Sequence, residues 1–225
     1  MNKIKWIIFA AISVSVLGLL IGFSRSSKID VASVDINAIQ IANDKNGNIA
    51  DHVYGNTSSK IILINYGDFQ CPGCGTAHPR IKAIVEEYKD RIQFVFRNFA
   101  LTAIHPNAKA AAATTEAAGL QGKYWEMHDK IYENQSQWES LSIDERTNTF
   151  VNYAKDLGLN TEKFSSDLGG EAVKNKIDYD KSLGEKAKVE ATPSFYLNGT
   201  KIESSTWGDS TKLKEAIDTE LAKFQ

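Results

Sequence analysis

The sequence predicts an α/β domain, on three observations. A nearly continuous apolar run, Ile61-Ile62-Leu63-Ile64-Asn65-Tyr66, precedes a stretch with Ile81, Ile84, Val85 and Tyr88 at helical spacing. The alternating segment Arg91-Ile92-Gln93-Phe94-Val95-Phe96-Arg97 follows, so a βαβ unit opens the domain. Far downstream, Asn198-Gly199 separates Ser194-Phe195-Tyr196-Leu197 from Thr200-Lys201-Ile202-Glu203, which is a two-residue hairpin signal ahead of a last amphipathic helix.

Each element has a local reason. The continuous apolar character of Ile61–Tyr66 suits a central strand covered on both faces. Pro79 falls inside the first helix, where it removes a backbone hydrogen bond. Pro106 suits the first turn of an Ala-rich helix that stops near Gly119. Lys123–Gln135 reads as one helix with Tyr124, Met127, His128 and Ile131 on a shared face. Ser142-Ile143-Asp144-Glu145 fits a capping box, and the helix it opens turns Phe150, Ala154 and Leu157 inward before Gly158. Asn160 is expected to cap a short helix ending near Gly169-Gly170, and Glu171–Lys188 a further one. The last helix starts near Asp209 or Ser210 and aligns Leu213, Ala216, Ile217, Leu221 and Phe224.

The ends and the charge bound the function. Trp6 to Phe23 is an apolar run of 18 residues interrupted only by Ser and Gly, flanked by Lys3, Lys5, Arg25 and Lys28. Its length is just enough to span a bilayer, so residues 1–25 are expected to be an N-terminal transmembrane anchor in contact with membrane lipid. A cleaved signal segment is the other reading, with Gly22-Phe23-Ser24 as the cleavage site. Residues 26–48 read as a linker, and 49–225 as one domain large enough for a real core. A net charge of −2 without a basic stripe argues against nucleic acid as a partner.

Chemistry concentrates at Cys71-Pro72-Gly73-Cys74, which holds both cysteines of the chain. A C-x-x-C pair fed by a strand onto a helix is the redox context for this spacing. The free N–H groups and dipole of a helix N-terminus favour a thiolate on the first cysteine, and the thiolate is the attacking species. The second cysteine then resolves the mixed disulfide. A structural zinc site normally needs four Cys or His ligands, and only His78 lies close in sequence, so no metal is expected. A purely structural disulfide across so short a loop would stabilise by only about 2 kcal/mol.

The order β-α-β, helical insertion over about 104–188, then β-β-α resembles the thioredoxin fold carrying a helical insertion. The match is to the DsbA-like family of extracytoplasmic thiol–disulfide oxidoreductases. It rests on Gly67-Asp68-Phe69-Gln70-Cys71-Pro72-Gly73-Cys74, on Pro79, on His105-Pro106-Asn107-Ala108, on Gly122-Lys123-Tyr124-Trp125-Glu126-Met127-His128-Asp129, and on Ala191-Thr192-Pro193-Ser194-Phe195-Tyr196-Leu197-Asn198-Gly199. The resemblance implies a cis Thr192–Pro193 bond against the dithiol, with the Thr192 backbone free to pair with an extended substrate. It also implies catalytic Cys71 and Cys74, no cofactor beyond their redox-active disulfide, and a site shaped by Pro72, Gly73, Thr192, Pro193, Phe69 and Asp68.

Two positions depart from the family pattern. Strongly oxidising members carry a His before the second cysteine, where this chain has Gly73, so a milder oxidant is expected. The family's buried acid, six residues before the first cysteine, is replaced by Asn65, and an amide cannot manage the proton of Cys74. Asp68 reads as a solvated turn residue or as a proton-transfer or substrate-contact group, and Phe69 as substrate surface or core. His78 is expected at the surface or core edge, or else tuning the thiolate. His128, Trp125 and Trp138 read as structural, and His105 as a helix cap.

The expected activity is that of an enzyme introducing disulfides into reduced or unfolded exported proteins, on the outer side of the cell membrane. A membrane redox partner would reoxidise it, and a monomer is the default. A reductase or isomerase, and a tethered non-enzymatic chaperone, are the competing readings.

Overall fold

The computed structural model describes residues 29–224. The expected transmembrane anchor, 1–25, lies outside them. Among the described residues no helix is long and apolar enough to cross a membrane.

Five strands form one sheet: β1 (Val53–Gly55), β2 (Ile62–Gly67), β3 (Gln93–Asn98), β4 (Ser194–Leu197) and β5 (Thr200–Ile202), in the order β1-β3-β2-β4-β5. β2 and β3 are parallel, with Ile64 opposite Val95, and the other pairs are antiparallel. Helix α1 (Pro72–Tyr88) makes the crossover between β2 and β3, and Pro79 lies within it. The insertion then supplies α2 (Ala108–Gly119), α3 (Tyr124–Glu133), α4 (Gln135–Trp138), α5 (Ile143–Asp156), α6 (Thr161–Leu168) and α7 (Glu171–Lys186). Beyond β5 come α8 (Ser204–Trp207) and α9 (Ser210–Ala222). This is the thioredoxin-like α/β arrangement with a helical insertion that the motifs led us to expect.

Alternation along the strands sorts the core. Leu63 and Phe94 pack with Ile81, Ile84, Leu213 and Ile217 against α1 and α9. Ile64, Tyr66 and Val95 point the other way, onto Tyr179 and Leu183 of α7. A third cluster fills the insertion around Met127, Trp138 and Phe150, and it extends to Phe69 and both cysteines. The dithiol therefore sits where sheet and insertion meet. Each large apolar side chain so buried contributes about 1.5–3 kcal/mol.

Several local signals hold. Ser142 accepts from the Glu145 N–H while the Glu145 carboxylate accepts from the Ser142 N–H, which closes the capping box. Asn160 caps α6 and Asp209 caps α9. Asn198 and Gly199 take φ of 46° and 81°, as a tight hairpin turn demands.

Other expectations are corrected. The Ala-rich helix begins at Ala108, two residues after Pro106. The helix expected over Lys123–Gln135 is α3, which stops at Glu133, and a separate short helix, α4, follows from Gln135. Strand β1 and helix α8 were unforeseen, each being only three or four residues long. Phe224 is 53% exposed rather than inward.

The segment 26–48, expected as a linker, is over its described part a strap fastened to the domain. Lys186 Nζ donates to the carbonyls of Val31, Ala32 and Val34. Arg97 Nη1 donates to the Ile36 carbonyl at 2.5 Å and Nη2 to the Ala38 carbonyl at 2.7 Å. Arg97 is also paired with Asp51 at 2.8 Å, and Lys176 bridges Asp51 and Asp180 at 2.9 and 2.7 Å. Burial opposes the Asp51 charge, but the Lys176 and Arg97 cations outweigh it and hold that carboxyl below its ordinary range. Apart from Lys176 and Asp180, one helical turn apart, these partners are separated by dozens of residues in sequence, so no local pattern announces them.

Candidate active site

Cys71 occupies the N-cap of α1 in extended backbone, with Pro72 as the first helical residue. Proline there loses nothing, because that N–H has no intrahelical partner. The loop before it is tied down. The Cys71 N–H donates to the Asp68 carbonyl at 3.1 Å. Gln135 Nε2 donates to the carbonyls of Phe69 and Cys71, at 2.7 and 3.0 Å. Gly75 makes room for this clamp: a Cβ there would lie 2.3 Å from Gln135 Oε1 and would push the amide aside.

The Thr192–Pro193 bond is cis and lies against the dithiol. Cys71 Sγ is 3.3 Å from the Thr192 carbonyl oxygen, to which the thiol donates. Thr192 Oγ1 has no hydrogen-bond partner among the described residues. Its O–H is thus free to turn toward the sulfur once that sulfur ionises.

Both cysteines are free thiols in this structure, and both are buried. They differ sharply in acidity. A hydrogen bond from the Cys74 thiol lowers Cys71 to about 5, with the Thr192 hydroxyl and the N–H groups of Cys74 and Gly73 adding to it; burial works the other way. Burial raises Cys74 well above the ordinary thiol range, and its bond to the Cys71 sulfur raises it further. One sulfur is an anion at neutral pH and the other keeps its proton. This is the division of labour that thiol–disulfide exchange needs.

The remaining predicted residues divide. Gly73 is at the dithiol: a Cβ there would meet Pro193 Cδ at 3.6 Å and Cys71 Sγ at 3.7 Å, which are ordinary contacts. Asp68 is 1% exposed, not a solvated turn residue. Its carboxylate accepts from the N–H groups of Gln70 and Leu101 and lies 2.8 Å from His105 Nδ1. It pins the Cys71 loop to the chain beyond β3, and His105 is its partner rather than a helix cap. Phe69 is 1% exposed, packed on Phe96, Tyr132 and His128, so it is core and offers no substrate surface.

A cavity of about 400 Å³ opens behind the dithiol, lined by Asn65, Cys74, His78, Trp125, Tyr132 and Pro193 among others. Trp138 is core, as expected, but Trp125 is half-buried on this cavity wall. Asn65 Oδ1 is buried without a partner among the described residues. His78 is buried too, stacked on Tyr132 at 4.9 Å and flanked by His128 at 5.4 Å. Burial, helped by His128, lowers His78 to about 4, so it is neutral and adds no cation beside Cys71. Gln135 is a site residue that no sequence motif marks. It stands 64 residues from Cys71, and a lone Gln carries no signal of its own.

The thioredoxin family profile matches residues 47–219. A probable disulfide bond formation protein D of Bacillus cereus is 30% identical over 219 residues, 92% of this chain and 97% of that one. An Na(+)/H(+) antiporter NhaA 1 of Salinispora arenicola is 34% identical over 155 residues, 69% of this chain. The match spans only 22% of that antiporter, so the chain covers about a fifth of such relatives' length. Among solved structures, oxidised BdbD from Bacillus subtilis superposes with a TM-score of 0.68 at 22% identity, covering 82% of this chain and 98% of that one. The thiol-disulfide exchange protein alpha-DsbA2 from Wolbachia pipientis superposes at 0.65 with 19% identity, covering 78% and 90%. At such identities the likeness is one of fold.

Proposed function

The chain belongs to the thioredoxin family, and from that premise we propose that it is a protein dithiol–disulfide oxidoreductase working as an oxidase through Cys71 and Cys74. The observation that carries this reading is the split between the two sulfurs, Cys71 lowered to about 5 and Cys74 raised. A client thiolate attacks Cys71 Sγ of the disulfide, and the Cys71–Cys74 bond breaks as the client–Cys71 bond forms. Cys74 leaves with the electron pair and takes a proton, as its high affinity for one dictates. A second client thiolate attacks the client sulfur and expels Cys71 as a stable thiolate. The client loses two thiols and gains a disulfide, while the enzyme is left as the dithiol. A stabilised leaving thiolate drives the exchange in this direction.

The clients of this reading are reduced or unfolded exported proteins, which extend along the backbone of Thr192. The setting is the outer face of the cell membrane, where disulfides persist. Residues 1–25 supply the anchor in membrane lipid, and a membrane redox partner restores the Cys71–Cys74 disulfide. No further cofactor takes part. The relative from Bacillus cereus, named for disulfide bond formation and matched along nearly its whole length, supports the oxidase direction.

The test is a thiol count. Oxidised full-length chain mixed with a reduced, unfolded client is expected to remove two client thiols per chain. Offered a client disulfide, the Cys74→Ser chain is expected to stop at the mixed disulfide through Cys71, and Cys71→Ser to form none. Retention of every client thiol by the wild-type chain overturns the reading.

A further inference from the structure

The wall of the cavity behind Cys74 carries a second chemical cluster that dithiol exchange does not use. His78 comes from α1, and His128 and Asp129 come from α3. One ring nitrogen of each imidazole and a carboxylate oxygen of Asp129 lie within 4.8 Å of one another. Two edges of that triangle share Asp129 Oδ1, with His128 Nδ1 at 3.1 Å and His78 Nε2 at 3.7 Å.

His78 Nε2 is the telling atom. The residue is only 7% exposed, and the nitrogen faces Asp129 Oδ1 from beyond hydrogen-bonding distance. No protein group among the described residues satisfies it. Leaving a buried polar atom unmatched costs about 1–3 kcal/mol. Its ring is nonetheless held in place, stacked on Tyr132 with an interplanar angle of 23°. The carboxylate is positioned as well. Lys82 Nζ takes the other oxygen, Oδ2, at 2.8 Å and is itself shared with Glu133 at 2.7 Å, which leaves Oδ1 turned to the imidazoles.

We propose that His78, His128 and Asp129 bind a divalent first-row transition ion of the zinc class at the cavity wall. Two imidazoles and one carboxylate suit such ions, whereas calcium and magnesium take oxygen donors. At metal–ligand distances of about 2.0–2.2 Å a tetrahedral ion sets its ligand atoms roughly 3.3 Å apart. The two edges to Asp129 bracket that spacing, and the imidazole nitrogens, within 4.8 Å of each other, close the third edge by side-chain rotation. Three protein ligands leave a fourth position directed at the cavity, as in sites that accept an exchangeable ligand. Lys82 acts as the group that orients the carboxylate from outside. His78 stands about fifty residues from the other two in sequence, so the C-x-x-C neighbourhood gives no hint of the set.

Zinc titrated calorimetrically into the full chain carrying Cys71→Ser and Cys74→Ser tests this with the dithiol removed as a chelator. One zinc ion per chain is expected, together with a zinc-dependent rise in melting temperature. Asp129→Asn, at a partly exposed position, is expected to weaken binding more than about tenfold and to cancel that rise. His78→Phe keeps a ring stacked on Tyr132 and is expected to do the same. Absence of stoichiometric uptake by the parent, or equal affinity in both variants, overturns the proposal.

Discussion

The sulfur of Cys71 and the carbonyl oxygen of Thr192 lie 3.3 Å apart, although 121 positions separate the two residues in the chain. Thr192 thereby presents two groups to one sulfur: a carbonyl that accepts from the thiol and a hydroxyl that serves the thiolate. Thr192→Val keeps the shape and removes the hydroxyl. A hydrogen bond to a charged group is worth about 1.5–3 kcal/mol, so the Cys71 pKa is expected to rise by roughly 1–2 units. The thiolate absorbance of the reduced chain, followed against pH, measures it. An unchanged midpoint would show that the hydroxyl plays no part.

Position 73 has room for a side chain, since a Cβ on Gly73 makes only ordinary contacts with Pro193 and Cys71. Gly73→His adds a donor or a positive charge next to the Cys71 thiolate. A further fall of about one pKa unit is expected, with a potential about 30 mV more oxidising. Equilibration in glutathione buffers reads the potential. A shift in the reducing direction would mean that the backbone of the loop, not the charge beside the sulfur, sets the poise.

The pH dependence has a definite sign. The folded reduced chain holds Cys71 ionised down to about 5, whereas an unfolded thiol ionises only above about 8.5. The resulting stabilisation of the reduced form is fully present above the unfolded value and is lost as pH falls toward the folded one. Cys74, raised by burial, acts only on the alkaline side and does not interfere in this window. The stability advantage of reduced over oxidised chain is therefore expected to shrink on acidification from about 8.5 to about 5. Urea denaturation of both forms across that range checks it. Alkylation of Cys71 should stay fast down to the same lower limit and then fall.

Lys176 is wholly buried between Asp51 and Asp180, at 2.9 and 2.7 Å. Lys176→Met leaves those two carboxylates without their shared cation, at a cost of about 3–5 kcal/mol. In a domain of this size that corresponds to a melting temperature lower by roughly 10 °C. The groups that set the Cys71 acidity are Cys74, Thr192 and Gly73 rather than these charges, so the Cys71 titration is expected to stay where it was. Calorimetry and the thiolate titration together separate the two effects.

What could be read from the chain follows the range of the interaction responsible. The Ser142–Glu145 capping box, the Asn160 cap and the Asn198-Gly199 turn depend on residues within a few positions of one another, and all are found as expected. The cysteine pair on a helix start is equally local. The burial of Asp68 has no local signal because its partners, Leu101 and His105, join it only after β3 has returned beside β2. The core role of Phe69 is invisible in its neighbourhood because its cover, Tyr132 and His128, comes from the insertion. The strap at 29–48 looked like a linker since its anchors are backbone carbonyls, which carry no residue signature, held by Arg97 and Lys186.

The most direct test of the central claim is the reduction potential of the Cys71–Cys74 pair in the full-length chain. A sulfur lowered to about 5 lies between the roughly 7 of thioredoxin and 3.5 of DsbA, so a potential between about −270 and −120 mV is expected. A value at or below about −270 mV would contradict the account, because the thiolate would then give the disulfide no oxidising advantage.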